Sequence, residues 1–361
     1  MRLHRINCTP FRIPFRRPLR IGDAVVTARA GLLLEAHGED GLVGLGEVAP
    51  HPTAGEQTLH QVESGIAQLA EALDKRGFVE VDPWLPEALL RPLPPESRAG
   101  LETACCDLAA QAGDVGLGTL LGTPIRDAIP VNAIIDELEP AAAAAAASER
   151  VTEGFTCLKL KVGRDLARET ARLTAVRDAA GAAVRIRIDA NGIWSAGEAI
   201  VALRQLAAYG IEYVEQPVRE MADLARVAEA VEMPVAADEC VTDAESVLKL
   251  AAMKAADIIV VKPALLGLRA ATEIIRTAGS CGLKAVVTSA LDTSIGIAAA
   301  AHLAATLPEP ILPCGLATAW LLQGDVVRQP LVPRRGWLRI PGGAGLGLSL
   351  DPEAVRRWRC G

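Results

Sequence analysis

The chain has 361 residues, 50% hydrophobic and 22% charged, with 37 basic against 44 acidic side chains and a formal net charge of -7. That length forms a full core without a disulfide or metal scaffold. Its mean hydropathy of +0.26 comes without any uninterrupted apolar run of the ~18 residues that a membrane span needs. The acidic balance argues against a nucleic-acid binder. The first dozen residues lack the apolar stretch and cleavage site of a secretory signal, so the cytoplasm is the expected location.

Residues 1 to about 40 read as β structure. The apolar runs Leu3–Phe15 and Val25–Ala36 are separated by the basic segment Phe15–Asp23, and after the turn Gly38–Gly41 a third strand is predicted at Leu42–Val48. His60–Leu73 and Ala99–Gln111 read as helices, with a proline-rich connection from Pro83 to Pro95 between them. Together these make a small α+β domain over residues 1–125. From Pro130 on, short β-rich runs alternate with alanine-rich helical runs. Strands are predicted at Val131–Ile135, Thr156–Lys161, Val184–Asp189, Ile211–Glu215, Val235–Asp238, Asp257–Lys262 and Lys284–Ser289, with a weaker one at Ile311–Pro313. Ser195-x-x-Glu198 and Thr242-x-x-Glu245 have the form of capping boxes. Leu166–Val176 has helical spacing with Gly181 just beyond it, and the alanine run 141–147 is a good helix former. Eight βα units in an α/β chain predict a closed (β/α)8-type TIM barrel over 126–319, with 320–361 packing back on the N-terminal domain. The glycines of 342–347 come too late for a nucleotide fingerprint and read as a loop.

Eight cysteines form no Cys-x-x-Cys pair and five histidines are scattered. Zinc and iron–sulfur sites are therefore not expected, and most of the cysteines read as buried, reduced thiols.

Lys161, Asp189, Glu215, Asp238, Lys262 and Ser289 stand at predicted strand ends, separated by 28, 26, 23, 24 and 27 residues. Each interval is one βα unit, so all six fall on the rim where barrel enzymes do their chemistry. Asp189, Glu215 and Asp238 come from consecutive strands. They read either as an all-oxygen site for Mg²⁺, with Mn²⁺ as the substitute, or as acidic caps paired with rim arginines and lysines. Period-two alternation places Lys159 inward with Lys161. Lys159 then either disfavours a second charge, leaving Lys161 a neutral amine, or pairs with an interior carboxylate. Lys262 arrives across the barrel, so a flat ligand would meet a lysine on each face. Asn191, Gln216 and Glu239 adjoin the carboxylates and would orient them or reach a substrate. Ser289 and the Gly315 backbone would receive an oxyanion. Arg20, with Arg16 and Arg17, forms either a loop for an organic anion or a solvated surface, and Phe15, Leu19 and Ile21 would pack a ligand's apolar part. His51 would be a general acid only if it faced the rim.

With these residues placed, the sequence resembles the enolase superfamily, in its muconate-lactonizing-enzyme subgroup. The likeness spans nearly the whole chain and rests on Gly46-Glu47-Val48-Ala49-Pro50, Lys159-Leu160-Lys161, Asp189-Ala190-Asn191, Glu215-Gln216-Pro217, Ala237-Asp238-Glu239 and Val261-Lys262-Pro263, all in order. It implies that Asp189, Glu215 and Asp238 bind Mg²⁺, with Lys161 as a base on one face and Lys262 on the other. Within the subgroup, 288–296 and 314–318 look most like the o-succinylbenzoate synthases. That implies a lyase of menaquinone biosynthesis, dehydrating 2-succinyl-6-hydroxy-2,4-cyclohexadiene-1-carboxylate to 2-succinylbenzoate. Dipeptide epimerases often carry Asp-x-Asp on the last strand, whereas 311–318 hold no acidic residue here. Racemisation of N-succinylamino acids by the same two lysines, another epimerisation and a muconate-type cycloisomerisation are the alternatives. The expected partners are a small organic carboxylate and, at most, further copies of the chain in a homo-oligomer.

Overall fold

The computed structural model of the protein describes residues 1–21, 24–53, 55–123 and 126–360. The end of the expected N-terminal domain at residue 125 and the Gly22–Asp23 tip of the basic segment lie outside the described residues.

Strands β1 (Arg2–Ile21) and β2 (Ala24–Gly38) form a long antiparallel hairpin. β3 (Val43–Val48) pairs with β2. The basic segment does not break the hairpin. After a register shift following Pro14, pairing resumes at Leu19 with Val26. Alternation is the reason: Phe11, Ile13 and Phe15 are buried while Arg12 and Arg16 face solvent, so one face holds the strand in place. Its prolines are tolerated because the second edge of β1 meets only β4 (Val79–Glu80) at Arg2 and Leu3, plus single bridges to Leu322 and Arg359. Helices α1 (Gly55–Arg76), α2 (Glu87–Leu90), α3 (Pro95–Ala112) and α4 (Leu117–Leu121) follow in this part of the chain. Leu32, Leu34, Val62, Ile66, Leu101 and Leu108 make the core that α1 and α3 share with the sheet. α3 lies so close to β3 that a side chain on Gly46 would start 2.1 Å from the Gly100 carbonyl oxygen, which fixes glycine there.

After β5 (Ala128–Pro130) the parallel sheet runs β6 (Ala133–Ile135), β7 (Cys157–Lys161), β8 (Arg185–Asp189), β9 (Ile211–Glu215), β10 (Val235–Ala237), β11 (Ile258–Val261) and β12 (Lys284–Val287), each hydrogen-bonded to the next. The connecting helices are α5 (Pro140–Thr152), α6 (Leu166–Ala180), α7 (Ala196–Leu206), α8 (Met221–Ala230), α9 (Ala244–Ala252), the short α10 (Pro263–Leu266), α11 (Leu268–Ser280) and α12 (Ser294–Ala304). The eighth staves off an open edge with only two residues. Cys314 bridges to Val131 and Gly315 to Thr288, through Cys314 N–H to Pro130 O and Gly315 N–H to Val287 O. Closure therefore falls just after the run predicted at Ile311–Pro313. The result is the expected (β/α)8-type barrel behind an N-terminal α+β capping domain. β13 (Trp337–Arg339) pairs with β5, and after α13 (Pro352–Trp358) the chain returns to β1, where Cys360 N–H donates to Pro10 O.

Ser195 and Glu198 form the expected capping box. The second box is displaced by one residue: Asp243, not Thr242, caps α9 and accepts from the N–H of Ser246 at 2.7 Å. All eight cysteines are free, and five are buried. Among the described residues no helix is long and apolar enough to cross a membrane.

Candidate active site

The register of the parallel strands sets the rim. Lys161 pairs with Asp189 and Asp189 with Glu215, so three adjacent strands end on one row. Asp238 follows β10 two residues beyond Ala236, the partner of Glu215. The strands carrying the three carboxylates lie between β7, which carries Lys161, and β11, which delivers Lys262. Asp189, Glu215 and Asp238 are only 3%, 2% and 5% exposed, and buried charges require partners. Lys159 Nζ donates to Glu215 Oε1 at 2.6 Å and lies 3.0 Å from Asp189 Oδ2, while Lys262 Nζ donates to Asp238 Oδ2 at 2.5 Å. Of the two readings of Lys159, the geometry therefore has the interior ion pair.

The electrostatics follow from this crowding. Burial pushes the Glu215 carboxyl up to about 7; Lys159 opposes it, and the neighbouring Asp189 and Asp238 charges add to the rise. Burial also acts against the Asp189 charge, but Lys159 and Lys161 outweigh it and hold that carboxyl below its ordinary value. Burial disfavours both interior ammonium groups, yet their carboxylates win: Asp189 and Glu215 raise Lys159, and Asp238 and Glu215 raise Lys262.

Three neighbouring residues hold these groups in place. Lys161 Nζ donates to Asn191 Oδ1 at 2.8 Å, and Asn191 Nδ2 donates to Glu239 Oε1 at 3.2 Å, so the amide orientation links the lysine to a carboxylate. Gln216 Oε1 accepts the Asp238 N–H at 2.8 Å, and its Nε2 donates to Val218 O at 2.8 Å. Asn191 and Gln216 sit at φ of 44° and 38°, a left-handed region that costs non-glycine residues energy and is concentrated at functional sites.

Other expectations are corrected. Pairing of Val261 with Val287 places Thr288, one residue on, beside Lys262 on the inward face. Ser289 turns away, its hydroxyl 2.7 Å from Thr318 Oγ1 and 3.2 Å from Gly315 O. The Gly315 N–H is committed to Val287 O, so neither Ser289 nor Gly315 offers the free oxyanion donor expected of them. Thr288 Oγ1 donates to Gly315 O, and a side chain at 315 would start 2.3 Å from that hydroxyl oxygen. Arg20 is exposed opposite Val25 in the hairpin. Arg16 instead holds the segment after the eighth strand through Trp320 O at 3.0 Å, and Arg17 lies 4.0 Å from Glu137, just beyond β6. Arg16 and Arg17 thus reach the neighbouring ends of the last and first barrel strands, with Phe15 buried and Leu19 and Ile21 half-buried. His51 faces the same mouth: burial lowers its pKa, and the charges of Arg29, Lys262 and Lys161 lower it further. Its Nδ1 is 2.8 Å from Thr53 Oγ1.

Sequence reasoning missed the layer below the rim. Arg187 is fully buried, stacks 4.6 Å over the Tyr213 ring and donates to Glu212 Oε2 at 2.5 Å and Pro313 O at 2.6 Å. Simple alternation would point Glu212 outward. A bulge between the pairs Ile186–Ile211 and Arg187–Tyr213 turns it toward Arg187.

Whether the carboxylates fit a divalent ion is a question of charge and donor type. Among the described residues no three acidic, histidine or cysteine side chains stand grouped as a ready cage, because Asp189 and Glu215 reach toward Lys159 and Asp238 toward Lys262. The set is nonetheless all oxygen, buried and drawn from adjacent strands, and the push on Glu215 marks it as short of positive charge. A hard cation answers both conditions.

Residues 142–354 match the family described as enolase C-terminal domain-like. An o-succinylbenzoate synthase of Thermobifida fusca (strain YX) is 44% identical over 221 residues, covering 60% of this chain and 68% of that protein. The L-Ala-D/L-Glu epimerase of Bacillus subtilis (strain 168) is 30% identical over 360 residues, covering 96% and 97%. A crystal structure of dipeptide epimerase from Enterococcus faecalis V583, complexed with Mg and the dipeptide L-Leu-L-Tyr, superposes with a TM-score of 0.88 at 29% identity, over 97% of this chain and 100% of that one.

Proposed function

Because this chain belongs to the enolase superfamily, in its muconate-lactonizing-enzyme subgroup, we propose that it is a Mg²⁺-dependent enzyme moving a proton at the carbon next to a substrate carboxylate. The observation that carries this reading is the strand order, in which Lys161 and Lys262 flank the strands of Asp189, Glu215 and Asp238. Those three carboxylates would hold the ion, as the Mg complex of the dipeptide epimerase suggests. When bound, Mg²⁺ supplies a Lewis acid toward the substrate carboxylate and makes the adjacent C–H more acidic.

Lys161, held by Asn191 Oδ1, takes the proton from one face, which requires its amine to be neutral at that moment. Lys262, on the other flank, returns a proton to the opposite face, and the centre inverts. Racemisation or epimerisation of an acylated amino acid is therefore the reading favoured, supported by the near-full-length likeness to an epimerase. The absence of acidic residues from 311–318 leaves no carboxylate there for a free ammonium, which favours an N-acyl substrate such as an N-succinylamino acid over a dipeptide. A second reading, dehydration to 2-succinylbenzoate, draws on the 44% identity to the Thermobifida synthase. In it Lys161 takes the proton and hands it to the departing hydroxide, while Lys262 stays cationic.

The test is incubation in D₂O with Mg²⁺. Deuterium entering both enantiomers of an N-succinylamino acid supports the first reading, and an aromatic product from the hydroxycyclohexadiene with no racemisation supports the second. Neither reaction, on any acid of either class, refutes the proposed function.

A further inference from the structure

Glu47 takes no part in the site described above, yet its buried carboxylate reaches out of the capping domain into the barrel. It stands near the end of β3 and accepts the N–H of Thr293 at 3.0 Å on each oxygen, the Thr293 hydroxyl at 2.6 Å and the N–H of Gly296 at 3.2 Å. These groups open α12, where the first N–H groups have no partner inside the helix and where negative charge meets the positive end of the dipole. Thr293 is the N-cap by its own hydroxyl, which accepts from the N–H of Ile295. The cap therefore has two layers, one supplied in trans by the other domain.

The platform behind Glu47 is stiff. Gly46 lies against the Gly100 carbonyl of α3, and fully buried Arg29 donates to Pro50 O and, at 2.6 Å, to Ala49 O. Arg29 Nη2 also stands 3.9 Å from Asp292 Oδ1, and the other Asp292 oxygen accepts the Ala290 N–H at 2.9 Å. The capping domain thus holds the short segment 290–293 at Asp292 and Thr293, and the Asp292 carboxylate ties back its first residue through the Ala290 N–H. That segment leaves the rim directly after Thr288, the neighbour of Lys262, and holds Leu291 at φ +66°. A bulky residue keeps such a conformation only where its surroundings over-determine it.

We propose that Glu47 is a positioning residue: by capping α12 from the capping domain it fixes the rim segment Ser289–Thr293, and through it sets Thr288 beside Lys262 at the mouth of the barrel. The inference rests on reading this rim as the active site. It assigns to the Gly46–Pro50 motif a mechanical task, transmitting the position of one domain to the ligand face of the other.

The decisive variant is Glu47→Gln, which keeps the size but turns an amide N–H₂ toward donors. Amide hydrogen exchange by mass spectrometry is expected to accelerate by about tenfold or more at 290–296, with the strands β7 to β9 unchanged, as local opening should show. KM for whichever acid the wild-type enzyme turns over is expected to rise about tenfold with kcat within about threefold. Unchanged exchange at 290–296, a uniform rise across the barrel, or a kcat loss at constant KM would each overturn the proposal. The exchange measurement needs no substrate, so a wild-type protein that turns over nothing would refute the proposed function and leave this test intact. Should Glu47→Gln fail to fold, Thr293→Val, which removes one donor to Glu47, must raise exchange over the same amides or the proposal is lost.

Discussion

Among the described residues, Lys159 and Lys75 each make a 2.6 Å bond to a glutamate, and their removal should cost very different amounts. Lys159 bonds Glu215, with side chains 17% and 3% exposed, and also lies 3.0 Å from Asp189; Lys75 bonds Glu71 on a helix surface with 74% and 67% exposed. Lys159→Met strands two buried carboxylates without their cation, and breaking a buried pair from one side costs about 3–5 kcal/mol. Lys75→Met removes a solvated i,i+4 pair, a change of about 0.5 kcal/mol or less. At about 2–4 °C per kcal/mol for domains somewhat smaller than this chain, the first variant should melt roughly 10 °C below the wild type and the second within about a degree or two. Scanning calorimetry with EDTA and then with saturating Mg²⁺ adds the second half of the test. A divalent ion on the same carboxylates replaces part of the lost charge, and binding at about a hundredfold over Kd stabilises by about 2.7 kcal/mol. The wild type gains from Mg²⁺ as well, so the Lys159→Met deficit should shrink by as much as the ion binds the variant more tightly, about 1.4 kcal/mol for each tenfold in Kd. A deficit that does not shrink at all, or two variants that melt alike, would refute the claim that burial and a shared ion govern this cluster.

Lys161→Ala should lower α-proton exchange by about 10²–10⁴-fold while leaving Mg²⁺ affinity and the melting temperature near wild type, since this side chain is exposed; isothermal titration beside the D₂O assay checks both. Burial lowers His302 to about 4, with Gly118 N–H donating to its Nδ1, so the unfolded chain binds the proton more tightly. The stability it contributes is complete above pH ~6.5 and is lost as pH falls toward 4, by about 3 kcal/mol; urea titrations should show a shallower acid loss in His302→Gln. Arg187→Met should cost up to about 3 kcal/mol by taking from Glu212 its buried partner and leaving it only the more exposed Arg185 at 3.3 Å. Arg187→Met with Glu212→Leu should recover most of that loss, and a double variant no more stable than the single would contradict the pairing.

How much of this was legible beforehand depends on which regularity each residue obeys. Asp189, Glu215, Asp238 and the two flanking lysines were readable because βα spacing puts strand ends on one rim; the strands of Lys161 and Asp189 keep simple alternation up to it, and that of Glu215 regains it from Tyr213 on. Glu212 was not, since a single extra residue in β9 reverses its side and nothing local in Ile211–Glu215 announces the bulge. Ser289 failed on parity: the inward set on β12 runs through Val286 to Thr288, and predicting the strand to end at 289 selected its outward neighbour. The Gly315 amide was unreadable because its use depends on how the last two residues close the barrel. Glu47 was visible as part of a motif, but its partners lie 246 and 249 positions away, beyond any periodicity.

The barrel interior argues that its charges are kept for use. Toward β10, β11 and β12 the inside is solved by packing, with Ala236, Ile258, Val260 and Val286 clustered against Tyr213 of β9. Toward β7, β8 and β9 the same cylinder instead buries Arg187, Asp189 and Glu215 and half-buries Lys159. A well-packed apolar set is often as stable as a buried ion pair or more so, and the apolar part shows this barrel using such packing. The charged side rises through the Arg187–Glu212 pair to Asp189, Glu215 and Lys161, and under the proposed function these surroundings would have to tolerate changing charge as a proton or a cation arrives. An interior already lined with alternating ammonium, guanidinium and carboxylate groups meets that change with its own dipoles and pairs, at a cost in stability that an apolar lining would have avoided.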